Sequence, residues 1–157
     1  MMHHSSAALS FWDRARVSVP ELPESLPEVW AFGATPEHAD ELLALVLAGV
    51  KTGTASSMWD YESSGEPVPE EGDLSVILDA AEQPRAVIRT TELSIVPFDL
   101  VTAEHARSEG EGDRTLEHWR AVHERYWRAH SENSRGFAPD MPVLCERFEV
   151  VYREPSA

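Results

Sequence analysis

The chain is short of cysteine and of positive charge, and each shortage excludes something. A single cysteine, Cys145, rules out an internal disulfide. Disulfide frameworks belong to oxidising compartments, so a cytoplasmic protein is expected. No apolar run approaches the ~20 residues of a membrane-spanning helix, and no membrane partner is expected. Met1 to Ser6 lack the charged region and apolar core of a secretory signal. Lys and Arg total 13 against 28 Asp and Glu, a net charge of −15. A protein that grips long nucleic acid neutralises its phosphates with cations, and this chain has few. A polyanion is repelled at long range, so DNA is not an expected partner and general RNA binding is disfavoured. A small nucleoside-like ligand is untouched by that argument. The charge also fits a protein that is merely kept soluble.

What is present suits one domain: 157 residues, 42% of them hydrophobic. Pro20, Pro23 and Pro27 break up the early chain, so residues 1–27 read as an N-terminal extension and 28–154 as the domain. Residues 1–10 read as loose, with a short helix capped by Ser10 and carrying Phe11 and Trp12 onto the domain. Val29 to Gly33 reads as a strand. Thr35-Pro36-Glu37 opens a helix, with a capping hydroxyl, a proline in the first turn and an acid at the positive dipole end. Leu42, Leu43 and Val46 recur at helical spacing, and Gly49 stops it.

Gly49-Val50-Lys51-Thr52-Gly53-Thr54-Ala55-Ser56-Ser57 follows, and the rest is organised around it. It offers one amine and several hydroxyls where a helix gives way to a strand. A basic group beside a hydroxyl is the outline of nucleophilic catalysis; a polar turn complementing a helix end is the plainer reading. Met58 to Glu62 reads as extended, which puts Trp59 and Tyr61 on one face with Ser57. Residues 63–72 read as a loop, Asp73–Asp79 as a strand, and 85–96 as a long strand or a bent pair ended by Pro97. Thr102 caps a helix stopped by Gly110, and Asp113 caps another that carries Trp119, Val122, Tyr126 and Trp127. Val143 to Tyr152 reads as the closing strand. Strands with helices inserted suit an α+β fold, a small twisted barrel rather than a parallel sheet.

The acidic turn Glu109-Gly110-Glu111-Gly112-Asp113 is a second candidate. One carboxylate can shuttle protons near Lys51 and Thr54, or Glu109, Glu111 and Asp113 can hold Mg²⁺ or Mn²⁺. A solvated turn is the plain alternative. His105 and His123 lack a His-Glu-x-x-His pattern, so zinc is not expected. Cys145 reads as an inert core thiol. Arg89, His123 and Arg147 are further possible ligand contacts.

Gly49-x-Lys51-Thr52-x-Thr54 after a Leu-rich helix resembles the signature of ASCH domains, a PUA-like family. Val96-Pro97-Phe98-Asp99, the acidic turn, Leu116-x-x-Trp119-Arg120-x-x-His123 and Val143-x-Cys145-Glu146-Arg147-Phe148 resemble the longer bacterial subgroup, in the same order. The resemblance implies a PUA-like small β-barrel with helices covering its ends and flanking a cleft. Some similar ASCH proteins are N4-acetylcytidine amidohydrolases that use a Lys, a Thr and a Glu. By that likeness Lys51, Thr54 and Glu109 are catalytic: Lys51 takes the proton of Thr54, Thr54 attacks, and Glu109 protonates the leaving amine. Ser56, Ser57, Trp59, Tyr61, Arg89, His123 and Arg147 would bind an acylated pyrimidine nucleoside, with no cofactor. Another ASCH relative is regarded as a metal-dependent ribonuclease of single-stranded RNA, and RNA binding without catalysis is the third implied function.

Overall fold

The computed structural model describes residues 6–33, 35–131 and 133–154. The expectation for residues 1–5 lies outside them. The described residues form two compact units, one drawn from residues 6–49, 72–89 and 149–154, the other from residues 50–71 and 90–148.

The first unit starts with α1 (Ser6–Ser18). The helix begins four residues before Ser10, so Ser10 lies inside it and residues 6–10 are not loose. Ala8, Phe11, Trp12 and Ala15 fall at i, i+3, i+4 and i+7 and are all buried. The extra turn brings Ala8 onto the same apolar stripe. Phe11 meets Tyr152 edge-on at 5.4 Å, and the Trp12 indole donates to the Pro23 carbonyl at 3.1 Å. β1 (Glu28–Trp30) is shorter than expected. α2 (Pro36–Leu47) is capped as expected: Thr35 Oγ1 accepts from His38 N at 3.1 Å. Ala39, Leu42, Leu43 and Val46 are buried, and Gly49 takes a left-handed φ of 77°. β3 (Leu74–Leu78) pairs parallel to β1 and antiparallel to β4 (Pro84–Pro97).

The second unit holds β2 (Gly53–Ser57), α3 (Met58–Ser64), the later part of β4, α4 (Ala103–Glu109), α5 (Leu116–His130) and most of β5 (Pro142–Arg153). Its core packs Phe98, Val101, Ala106, Trp119, Trp127, Met141, Val143 and Cys145. Phe98 stacks on Trp119 at 5.5 Å. Met58 to Glu62 is helical, not extended. Asp60 lies in the first turn, where the helix dipole favours an anion, and Gly65 ends the helix with a left-handed φ of 75°. Trp59 and Tyr61 therefore do not alternate with Ser57 along a strand. α5 starts at Leu116, capped by Thr115 rather than Asp113. Asp113 supports that cap, its Oδ1 accepting from Thr115 N at 3.0 Å and Oγ1 at 2.7 Å. Trp119 and Trp127 are buried, whereas Tyr126 is 40% exposed, so the apolar stripe is narrower than the sequence suggests.

The strands hydrogen-bond in the order β1-β3-β4-β5-β2, an α+β arrangement as expected. β2 runs antiparallel to β5 with Gly53 opposite Arg147, Thr54 opposite Glu146 and Ala55 opposite Cys145. Opposed residues share a face. Ala55 and Cys145 pack with the α4–α5 core, so Thr54 and Glu146 lie on the other face. Among the described residues, no helix is long and apolar enough to cross a membrane.

Candidate functional site

Lys51 is the chain's only lysine; the other cations are arginines. Its side chain is 2% exposed. The amine donates to the Gly53 carbonyl at 2.8 Å and to the Glu109 carbonyl at 3.5 Å. It pairs with Glu109 Oε1 at 3.6 Å and Glu111 Oε2 at 3.7 Å.

α4 carries Glu109 and, one turn earlier, His105 on the same face. Glu109 is fully buried. Its Oε2 accepts from the Trp119 indole at 2.6 Å and lies 2.8 Å from His105 Nε2. Its Oε1 faces Lys51 and lies 3.4 Å from His123 Nε2. The two oxygens thus have different company: ring donors on one, cationic groups on the other. Trp119 was missed as a partner because it reaches Glu109 from a separate element, α5, whereas the i,i+4 spacing of His105 and Glu109 within α4 was visible in the chain.

On α5, Trp119 and His123 are also spaced i,i+4, and their rings stack at 4.2 Å. His123 Nδ1 lies 2.9 Å from the Trp119 carbonyl. A carbonyl only accepts, so Nδ1 carries the proton and Nε2 is turned to Glu109. Burial would push the Glu109 carboxyl up, but the charges of His123 and Lys51, with hydrogen bonds from His105 and His123, hold it well below its ordinary range. Burial would lower His123, and the Glu109 charge and hydrogen bond outweigh it, so His123 titrates above its ordinary value. An anion held this firmly suits fixing a cation, not protonating a leaving amine.

The turn carrying Glu111 is set by its glycines. Gly110 has φ 74°, and a Cβ there would lie 2.9 Å from the Val50 carbonyl oxygen. This carbonyl is backbone and cannot swing aside. Gly110→Ala is expected to cost more than ~1 kcal/mol, read as a lower urea midpoint; an unchanged midpoint would show that the turn can yield.

The other expected residues divide. Thr54 lies on the face of β2 opposite Glu109's helix. Ser56, Ser57 and Tyr61 line a separate cavity with Asp60 and Tyr126. Trp59 packs beside the core under the Arg135 guanidinium, 5.1 Å from its ring. Arg147 pairs with Glu104 at 3.3 Å and lines a small hollow with His105 and Cys145. Arg89 faces Leu74 in the ladder of the first unit. The Cys145 thiol is pushed up to about 12, first by burial and then by the Glu109 charge, which fits the inert core thiol expected. Asp113, tied to Thr115, is not part of the carboxylate group around Lys51. Among the described residues the potential metal ligands are instead Glu109, Glu111 and His123, whose ligand atoms lie within 4.8 Å of one another.

An ASCH domain family model matches residues 28–152. A crystal structure of an Enterococcus faecalis V583 protein, described by the family model DUF984, aligns with a TM-score of 0.83 at 36% identity, over 92% of this chain and 87% of the other. The ASCH domain from Lactobacillus crispatus JV V101 aligns with a TM-score of 0.86 at 25% identity, over 98% and 99%. No curated protein matches. With this fold and these motifs in register, the chain belongs to the ASCH domain family, with its PUA-like α+β fold.

Proposed function

We propose that the domain hydrolyses the amide of a small acylated pyrimidine nucleoside, of the N4-acetylcytidine kind, at the Lys51 network. The observation that carries this reading is the chain's only lysine, buried against two carboxylates. A buried ion cluster is a poor way to gain stability, and perturbed titrating groups concentrate where chemistry is done. Solvent reaches the network through Glu111, 20% exposed, and His123, 14% exposed.

In this reading Glu111 takes a proton from the attacking water. Lys51 stabilises the oxyanion that forms on the carbonyl. The intermediate collapses, the carbon–nitrogen bond breaks, and Glu111 returns the proton to the departing amine, giving acetate and cytidine. Glu109 positions Lys51 and stays ionised. The resemblance makes Thr54 the nucleophile, but its place beside Glu146 favours attack by water. With N4-acetylcytidine in EDTA, wild type is expected to release cytidine. Thr54→Ala should stay within about tenfold, whereas losing the Lys51 charge should cost about a hundredfold or more. A Thr54→Ala loss as deep as that of Lys51→Met would restore the hydroxyl as nucleophile, and no turnover by wild type would remove the reading.

The second reading, metal-dependent cleavage of single-stranded RNA, is favoured by the proximity of Glu109, Glu111 and His123. These residues offer two carboxylates and an imidazole, a fit for Mn²⁺ and less so for Mg²⁺. Against it, the Lys51 amine already lies within 3.7 Å of both carboxylates and supplies the positive charge that a metal would bring. Cleavage of a labelled single-stranded RNA with Mn²⁺, absent in EDTA, would favour this reading. RNA binding with a steep salt slope and no turnover would point to a non-enzymatic domain.

A further inference from the structure

The cavity lined by Ser57, Asp60, Tyr61, Glu66, Tyr126 and His130 is not used by the hydrolysis above. It lies where β2 ends and α3 begins, with α5 as its other wall. Gly53, beside the Lys51 amine, is four residues back along β2. At ~3.3 Å per residue that is a separation of about 13 Å. An acyl group held at Lys51 therefore leaves this cavity free.

Its titratable lining is two carboxylates and one imidazole, that of His130. The charged residues on its wall, Asp60 and Glu66, are both acidic, and no lysine or arginine lines it. Arg135 is turned to the Trp59 ring at 5.1 Å and to Glu62 at 3.9 Å. Arg128 is likewise engaged by Glu124 at 2.9 Å and by the Phe137 ring at 4.8 Å. Phosphate would be repelled here. Tyr61, Tyr126 and Trp127 add aromatic rings to the wall, and ring faces attract cations. Ser57 closes the inner end of the wall, its buried hydroxyl donating to the Met141 thioether at 3.3 Å. The volume, about 240 Å³, lies below the usual ~300–1,000 Å³ of drug-sized pockets and suits a ligand of few heavy atoms.

We propose that this cavity binds a small aliphatic amine in its ammonium form, with Asp60 and Glu66 as counter-ions and the tyrosine rings flanking the alkyl chain. The probe is 1,4-diaminobutane, titrated into the full chain at fixed ionic strength. Binding is followed by calorimetry and by backbone amide shifts in NMR. Saturable shifts confined to residues 55–66 and 126–130 are expected. Asp60→Asn should weaken binding tenfold or more, and Glu37→Gln, an acid of α2 that does not line the cavity, should leave it unchanged. Asp60→Asn also loses part of its bond with the Asn133 amide, so Tyr61→Leu is the second variant and should weaken binding without altering the fold. Three results would overturn the proposal. One is shifts spread over the acidic surface, with Glu37→Gln as damaging as Asp60→Asn. Another is no binding at millimolar amine. The third is tighter, saturable binding of neutral cytidine at the same residues.

Discussion

Glu109→Gln is expected to destabilise the domain by about 3–5 kcal/mol at neutral pH, the cost of removing one partner of a buried ion pair. The substitution keeps the size of the side chain and removes its charge. Lys51 then lies in the interior with Glu111 as its remaining carboxylate, and His123 loses the anion that Nε2 faces. In a domain of this length each kcal/mol moves the melting temperature by ~2–4 °C, so a fall of about 10 °C is expected. Lys51→Met should be similarly costly, because Glu109 keeps only its ring donors. The pair shares one interaction, so the double variant should lose less than the sum of the two. Calorimetry on the four proteins checks this. Additive losses, or a Glu109→Gln protein as stable as wild type, would show that the network contributes nothing to stability as a unit.

The second large effect is on pH dependence. His123 titrates above its ordinary value of 6.5 in the folded chain. A raised value binds protons more tightly in the folded than in the unfolded state, so this stabilisation is complete below 6.5. It is lost as pH rises through the folded value. Glu109 is shifted the other way from its ordinary 4.5, so its contribution is present above 4.5 and lost as pH falls through the lower folded value. Together they hold stability highest between about 4.5 and 6.5, with a decline above. His123→Gln should flatten that decline, and it should also weaken the acid-side dependence, because the His123 charge is the first of the interactions that hold Glu109 low. Urea midpoints of both proteins at pH 6 and pH 9 test this. A parallel decline in the two would assign the loss to other groups.

Much of the fold was legible because its signals are local. Thr35, Pro36 and Gly49 mark α2 as cap, first turn and stop, and Thr102 and Gly110 do the same for α4. The alternation in β5 was legible too. α3 was not, because a helix of seven residues is too short to show its period, and Trp59 and Tyr61 mimic the alternation of a strand. Asp113 was mistaken for a cap because Thr115, two residues on, takes that place while Asp113 bonds to it. In the site, Lys51, Glu109 and Glu111 were legible from the Gly-rich turns around them. The grip of Trp119 on one carboxylate oxygen, and of His123 on the other, was not. It depends on α4 and α5 packing against each other, and no spacing within one element encodes a contact between two. Thr54 was legible as a strand residue, but which face it took waited on the register with β5.

The most direct test is cytidine release from N4-acetylcytidine in EDTA by wild type and Lys51→Met, each first shown to be folded by circular dichroism. The account predicts turnover by wild type and at least a hundredfold loss in the variant. Equal turnover by the two would contradict it, because the buried amine would then be a structural feature of the fold and not the centre of its chemistry.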